Sequence, residues 1–333
     1  LLALTIFALH PLNVESVAWF TERKGLLSAT FSLLSIYWYL KKFTNDLGSQ
    51  KKSFVISLIF YLLALFSKPV ALMLPFVFVG IDYFKKTYRQ ESWLEKIPYF
   101  AVLAIFGFLH ISARNSALAL GSEAFSLFEQ LALLPQGVGF YLSKFLQPFP
   151  MMVFYGESFS FWSPLAIVSL FAIGGILVAG FVRLRIQRRF FIFGLVWFLA
   201  ILLPQLKVVP YGLRFMAADR YFYFSGIGLI LIVSFLIEHL LTNWRVSLLS
   251  EVTLILVLGL GLGSMSFRQV ATWESSVTLW TQVVVHDQKN ALAENNLGLG
   301  LLDEGRMDEA MDAFQRATRI DPGYLKAWHN IAY

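Results

Sequence analysis

Long apolar runs separated by short polar connectors occupy most of the chain. They fall at residues 25–40, 53–67, 69–84, 97–112, 162–182, 190–206, 221–238 and 251–267, and residues 1–9 read as the tail of an earlier run. Residues 162–182 carry no charge, and at 1.5 Å rise per residue a helix of that length crosses about 30 Å of hydrocarbon. The shorter runs need thin bilayer or helical extension into the connectors. The runs at 53–67 and 69–84 meet at Pro69, so they form either two spans or one broken hairpin. All should be helices, because an open strand edge has unsatisfied backbone groups in lipid. The pattern therefore predicts about eight full spans and a partial first one within residues 1–267.

Composition supports the same class. The 333 residues are 57% hydrophobic, 17% aromatic and only 14% charged, against about 25% charged in a soluble domain. The formal charge of +6 then bears on topology rather than on nucleic acid, since basic residues collect in short cytoplasmic loops. Aromatic side chains between the runs suit interfacial belts better than base stacking. With no cysteine there is neither a disulfide framework, nor a thiolate metal site, nor a Cys nucleophile. The chain opens on LLALTIFAL without Met or a basic signal-peptide region, and it stops just inside a new helical pattern. It reads as a piece of a longer protein.

Loop charges orient the bundle. Lys41, Lys42, Lys51 and Lys52 share one connector, Lys85, Lys86 and Arg89 a second, and Arg183, Arg185, Arg188 and Arg189 a third. Counting spans places all three on one side, the cytoplasmic one, provided that residues 113–161 begin and end on the opposite side. The apolar piece at 131–145 is then re-entrant or interfacial. The same parity puts residues 10–24, Lys68, residues 207–220 and everything after Phe267 outside the cytoplasm. Arg23, Lys24, Lys68, Lys207, Arg214 and Arg220 run against the charge bias there and need another reason.

After Phe267 the pattern becomes that of a soluble helical repeat. In 291–322, Leu297-Gly298, Gly305, Ala310, Phe314, Ala317 and Pro322 fall at tetratricopeptide (TPR) spacing. Small residues let two helices approach, Gly305 makes the turn and Pro322 ends the second helix. A step of 34 residues takes Ala291 to Leu325 and puts Trp280 under Phe314. Residues 268–290 are thus a linker and degenerate half-repeat, and 291–333 the start of an α-solenoid. Such units stack in arrays, so further repeats are expected beyond Tyr333. Their bland role is docking, with a peptide or protein in the groove.

Three polar segments converge on the non-cytoplasmic side. The first is HPLNVESVAWFTERK at 10–24, where a helix starting near Asn13 would put Glu15, Trp19 and Glu22 on one face, with Arg23 just off it. Asn13 is its N-cap candidate, without a capping box. The second is Ser67-Lys68-Pro69, and the third is Arg214 with Asp219-Arg220-Tyr221. Singly, these are snorkelling helix-end charges, Glu22 neutralising Arg23 or Lys24. Together they are what a lipid phosphate requires, because ionisable groups at membrane depth are costly and mark function. Arg grips phosphate oxygens in pairs, and a carboxylate orients a cation or takes a proton. His10 and Glu15 alone give too few ligands for a metal.

HPLNVESVAWFTERKGLL, SKPVALMLPFVFVGIDYF, LLPQ followed by AADRYFYFSGIGL, and TWESSVTLW running into the repeats resemble, in the same order, the transmembrane-and-TPR-repeat protein O-mannosyltransferases and their bacterial TPR-bearing relatives. These are glycosyltransferases of GT-C fold. The resemblance implies an all-α, GT-C-like transmembrane bundle followed by a TPR α-solenoid. It implies transfer of a sugar, mannose in the better-known members, from a polyprenyl-phosphate donor to a protein hydroxyl on the luminal or periplasmic face. The repeats would present the acceptor. The family's catalytic acidic residue lies in the first outer loop, which here would precede Leu1, so the chain by itself is expected to be inactive. Relatives often carry His at the place of Asn13 and Asp at that of Gly25; this chain lacks both. Glu15, Arg23, Arg214 and Arg220 are the expected donor-site residues, with Lys68 and Asp219 in support and His10 and Tyr221 after them. No cofactor is assigned and no divalent metal is expected. Short loops favour a bacterial inner membrane over an endoplasmic reticulum.

Three other readings compete. A transporter or channel with a docking tail suits the broken hairpin and the glycines at 259, 261 and 263, but it needs ionisable residues near mid-bilayer rather than at helix ends. A non-catalytic scaffold needs no upstream acidic residue. An enzyme of the same class could act on a glycan or lipid acceptor.

Overall fold

The fold is that of a computed structural model describing residues 1–43, 47–85, 93–118, 127–155, 188–206 and 217–333, with residues 171, 174, 175 and 178. Most of the uncharged run at 162–182 lies outside the described residues, as do Arg183, Arg185, Lys207 and Arg214. The described residues are helical and include no strand, so the all-α class holds. Among the described residues, four segments are long and apolar enough to cross a membrane, Ser49–Ser67, Arg188–Leu206, Asp219–Asn243 and Leu248–Ala271.

The polar stretch at 10–24 is not the single helix its spacing suggests. After α1 (Leu2–Leu9), a 3-10 turn at Pro11–Asn13 leads into the short α2 (Val14–Ala18). Trp19 is extended, and a second turn at Phe20–Glu22 opens α3 (Arg23–Lys41). Asn13 occupies the cap position but caps nothing; its Nδ2 donates to the Phe7 carbonyl at 2.6 Å. The break doubles the chain back, so Glu15 and Glu22 meet through tertiary partners and not through helical periodicity.

α3 packs against α4 (Leu47–Ser67) along buried serines. Ser35 Oγ donates to the Ser57 carbonyl at 2.7 Å, Ser57 Oγ to the Ser35 carbonyl at 2.8 Å, and Ser28 Oγ to the Ala64 carbonyl at 2.9 Å. Small hydroxyl side chains bring two backbones close together and hydrogen-bond across the gap. Pro69 then turns the chain. α4 stops at Ser67, Lys68 is extended, and a 3-10 turn at Pro69–Met73 starts α5 (Leu74–Lys85), so the two runs form a hairpin.

α6 (Ile97–Leu118) and α7 (Leu127–Leu146) follow. α8 (Arg188–Leu202) crosses α9 (Phe222–Asn243) at glycines. A Cβ on Gly194 would come within 2.8 Å of the Gly228 carbonyl oxygen, so only glycine permits this approach.

The basic ends of α3, α5 and α8 meet at one end of the bundle, as the loop charges predict. Lys85 lies over the Phe43 ring at 5.3 Å, Arg189 lies 5.5 Å from the Tyr83 ring, and the rings of Phe84 and Phe190 are 5.7 Å apart. α10 (Leu248–Ala271) runs past Phe267, the expected boundary. It is tied to α1 by Ser266 Oγ donating to the Leu9 carbonyl at 2.7 Å, while Leu256, Leu260 and Phe267 stand exposed on its outer surface, as lipid-facing residues do.

The tail folds into antiparallel helices: α11 (Ser276–His286), α12 (Ala291–Asp303), α13 (Met307–Ile320) and α14 (Leu325–Ala332). Gly298 makes room for the Phe314 ring, 2.5 Å from where a Cβ would stand, and Gly305 turns the chain at φ +77°. Trp280 and Phe314 pack in one cluster. The tail also docks on the bundle: Val283 and Ala293 share a core with Leu12, Phe140, Met151 and Met152. Gln282 Nε2 donates to the Met151 carbonyl at 3.2 Å. The tail therefore sits at the end that carries residues 10–24.

Candidate anion site at the repeat-bearing end

Two carboxylates and two cations interlock where α2, α3, α4 and α9 meet. Glu15 Oε1 accepts from Arg220 Nη1 at 2.5 Å, and Oε2 accepts from the Arg220 backbone N–H at 2.8 Å. Glu22 lies between the cations. Its Oε1 is 3.5 Å from Arg220 Nε, and its two oxygens accept from Lys68 Nζ at 3.1 and 2.7 Å. Each residue is placed by a chain break: Glu22 by the turn before α3, Lys68 by the extended residue before Pro69, and Arg220 by a 3-10 turn at Asp219–Tyr221. Ser28 Oγ also donates to the Lys68 carbonyl at 3.1 Å, which fixes the lysine's backbone to α3.

Gly25 is part of this arrangement. A Cβ there would stand 2.5 Å from Glu22 Oε2 and 3.4 Å from Lys68 Nζ. The missing side chain leaves the Glu22 carboxylate room to lie over the first turn of α3, where the positive end of the helix dipole favours it. The guanidinium of Arg220 lies 5.1 Å from the Trp19 ring and 5.2 Å from that of Tyr221, and Trp19 in turn sits 6.1 Å from Trp273 at the end of α10.

Burial sets the electrostatics. It pushes the Glu15 carboxyl up, against the opposing pull of Arg220; it pushes the Lys68 ammonium down, against Glu22. Both directions are those of charge removed from water and held by a partner. The carboxylates are almost fully enclosed, at 3% and 5% side-chain exposure, whereas Arg220 and Lys68 retain 19% and 18%. Solvent or ligand thus reaches the cations first. Between them is a cavity of about 10 Å³ lined by Ser16, Glu22, Gly25, Lys68, Gln205 and Arg220, room for about one water molecule. A larger anion could enter only by replacing Glu22 on Lys68 and Arg220, one acceptor group for another. Among the described residues no three His, Asp or Glu side chains converge as metal ligands.

The remaining expected residues divide. Asp219 is buried beneath Arg220 and accepts from Tyr155 at 2.6 Å. Tyr221 flanks the guanidinium. Arg23 points away and stacks over the exposed Phe20 ring at 3.7 Å. His10 is buried, with Nε2 donating to the Phe145 carbonyl at 3.0 Å and Nδ1 accepting from the Leu12 N–H at 3.3 Å. Its neutral ring lies against that of Phe145, and burial lowers its pKa to about 4. It holds the turn after α1 and does not line the cavity. Arg214 lies outside the described residues.

Sequence reasoning named Glu22 as a neutraliser of Arg23 or Lys24, whereas it bridges Lys68 and Arg220. It missed Gln205, whose Nε2 donates to the Tyr221 carbonyl at 3.3 Å, although the LLPQ motif contained it. It also missed Tyr141 and Tyr155, for which no spacing signal exists.

The chain is similar to protein O-mannosyl-transferases. One from Caenorhabditis elegans is 23% identical over 336 residues, covering 96% of this chain and 45% of its own length. Two more, from Drosophila melanogaster and Homo sapiens, are 29% and 26% identical over 138 residues, covering 40% of this chain and 15% of theirs. The chain thus spans less than half the length of these relatives. No family model matches it, and no solved structure does.

Proposed function

We propose that this bundle is part of a membrane glycosyltransferase that moves a sugar, mannose-like, from a polyprenyl-phosphate donor to a protein hydroxyl. Glu15, Glu22, Lys68 and Arg220 form the wall that receives the donor phosphate. The observation that carries the reading is the pair of cations, Lys68 and Arg220, sharing one carboxylate beside a cavity at the bundle end. A phosphate that took the place of Glu22 would satisfy both, with the Arg220 fork suited to two of its oxygens. Asp219 and Tyr221 hold and flank Arg220. The reaction lies on the luminal or periplasmic face, where the repeats docked at this end present the acceptor. Names of the relatives, which act as protein O-mannosyl-transferases, favour mannose and a protein acceptor.

Placement of the charges at helix ends supports this reading over a transporter, which calls for ionisable groups at mid-bilayer. The test is transfer by the full-length protein carrying Arg220→Ala or Arg220→Lys. Both should fold, Arg220→Ala with transfer abolished and Arg220→Lys with transfer sharply reduced, because an ammonium lacks the planar fork. Folded variants with unchanged transfer would remove Arg220 from the donor site.

A further inference from the structure

The turn that presents Arg220 is held from below by two tyrosines that come from a part of the chain without any recognisable motif. Tyr141, on the buried face of α7, makes two bonds to one residue. Its hydroxyl donates to the Ala218 carbonyl at 2.7 Å and accepts from the Ala218 N–H at 3.0 Å. This pair of hydrogen bonds satisfies both backbone groups of Ala218 and fixes the peptide planes on either side of it. Tyr155 donates to Asp219 Oδ1 at 2.6 Å, and its own hydroxyl accepts from the Met152 N–H at 3.2 Å. Both side chains are fully buried, so neither can exchange its partner for water, and each lost bond would leave a buried polar group unpaired.

The segment 147–155 that carries Tyr155 has no regular secondary structure of its own. It is secured by side chains. Lys144 Nζ donates to the carbonyls of Pro148 and Pro150, the former at 3.3 Å. On the other side lies the first helix of the tail, where Gln282 Nε2 reaches the Met151 carbonyl and Val283 packs in the cluster that contains Met151, Met152 and Tyr155. A continuous set of contacts thus runs from α11 through 151–155 to Asp219, Arg220 and Glu15.

We infer that Tyr141 and Tyr155 are positioning residues for Arg220, and that α11 is a structural part of the same site because it seats the segment bearing Tyr155. The consequence is that the repeat module does more than hold an acceptor; its first helix helps to set the geometry of the anion-binding guanidinium. This role rests on the donor-site reading only for its kinetic part, since the clamp itself is a statement about backbone order.

The experiment is hydrogen–deuterium exchange on the full-length protein, with donor kinetics on the same samples. Arg220 N–H is bonded to Glu15 and Tyr221 N–H to the Ala218 carbonyl at 3.0 Å, so both amides report on the turn. In Tyr155→Phe they should exchange about tenfold faster, the scale of one lost hydrogen bond, while amides in the middle of α9 stay unchanged. Tyr141→Phe should do the same and guards against a folding defect in the first variant. Gln282→Ala should give a smaller acceleration at the same two amides, about threefold. Donor KM should rise in Tyr155→Phe with kcat retained. Unchanged exchange at Arg220 and Tyr221 in both tyrosine variants overturns the clamp, and unchanged exchange in Gln282→Ala removes α11 from it. If Arg220→Lys raises donor KM and a loosened Tyr155→Phe does not, the positioning role is wrong. If Arg220→Lys leaves donor KM alone, the donor-site reading fails, and the exchange data still decide the clamp.

Discussion

The two ends of α3 carry ionic clusters of similar make-up and opposite character. At the lysine-rich end, Asp82 accepts from Tyr39 at 2.9 Å and from Lys96, while at the rim Lys42 pairs with the exposed Glu95 at 2.7 Å. At the repeat-bearing end, about 28 Å away along the 19 residues of α3, Glu15 and Glu22 pair with Arg220 and Lys68. Asp82 and Lys96 are sealed, at 0% and 1% side-chain exposure, whereas Arg220 and Lys68 keep 19% and 18%. A sealed pair is committed to its partner, because separating it strands a charge in low dielectric. A pair whose cations remain partly open can trade a carboxylate for an incoming anion. Burial alone, a poor guide to function in either case, becomes informative when compared between cation and carboxylate within one cluster.

That contrast can be broken most strongly at the sealed end. Asp82→Ala leaves Lys96 without its carboxylate and should destabilise the fold by about 3–5 kcal/mol, read as a large drop in the melting temperature in detergent. A drop no larger than that of Arg220→Lys would erase the distinction between the clusters.

His10 offers the next largest effect, since it belongs to the repeat-bearing end without belonging to its cluster. Its folded pKa of about 4 lies below its ordinary 6.5. Below pH 6.5 the unfolded chain takes up a proton that the folded chain refuses. Its contribution is therefore intact above pH 6.5 and is lost progressively as pH falls towards 4, by about 3 kcal/mol in all. His10→Gln should melt with a shallower pH dependence over that window; identical slopes would mean that the ring protonates in place.

A finer probe is Gly25→Ala, whose methyl displaces the Glu22 carboxylate from Lys68. The carboxylate is the movable end of a side chain, so the cost in stability should stay near 1 kcal/mol, while donor binding in the full-length protein changes several-fold. An unaltered donor KM would show that Glu22 does not tune the site. The smallest perturbation only reports sidedness. The cysteine-free chain allows single cysteines at the exposed Thr21 and Lys52, labelled in sealed vesicles with an impermeant thiol reagent. The two should label from opposite sides, and Asp303→Cys should follow Thr21→Cys. Asp303 labelling with Lys52 would separate the repeats from the site.

Much of this organisation was legible in the residues. Apolar runs marked α3 to α6 and α8 to α10, the basic connectors marked one end, and Gly298, Gly305 and Phe314 marked the helical pair α12–α13. Each is a local signal of composition or spacing. The break at Trp19 was not legible, because the helical spacing of Glu15, Trp19 and Glu22 competes with a tertiary demand that both carboxylates reach α9 and α4. His10 looked like chemistry for want of any sign that the Phe145 carbonyl, 135 positions away, would accept a hydrogen bond from its ring.

The sequence by itself determined that this chain is helical, carries apolar helices long enough to cross a membrane, ends in a tail of short amphipathic helices and gathers the charge outside its basic connectors into three short segments. Those properties follow from periodicity, hydropathy and loop charge, which depend on neighbours within a few turns. Only the tertiary structure decided which charge meets which: Glu22 with Lys68 and Arg220, Asp219 with Tyr155, and α11 with Met151. Ion pairs and hydrogen bonds act over about 3 Å, and no local pattern encodes which distant residues the packing of helices will bring that close.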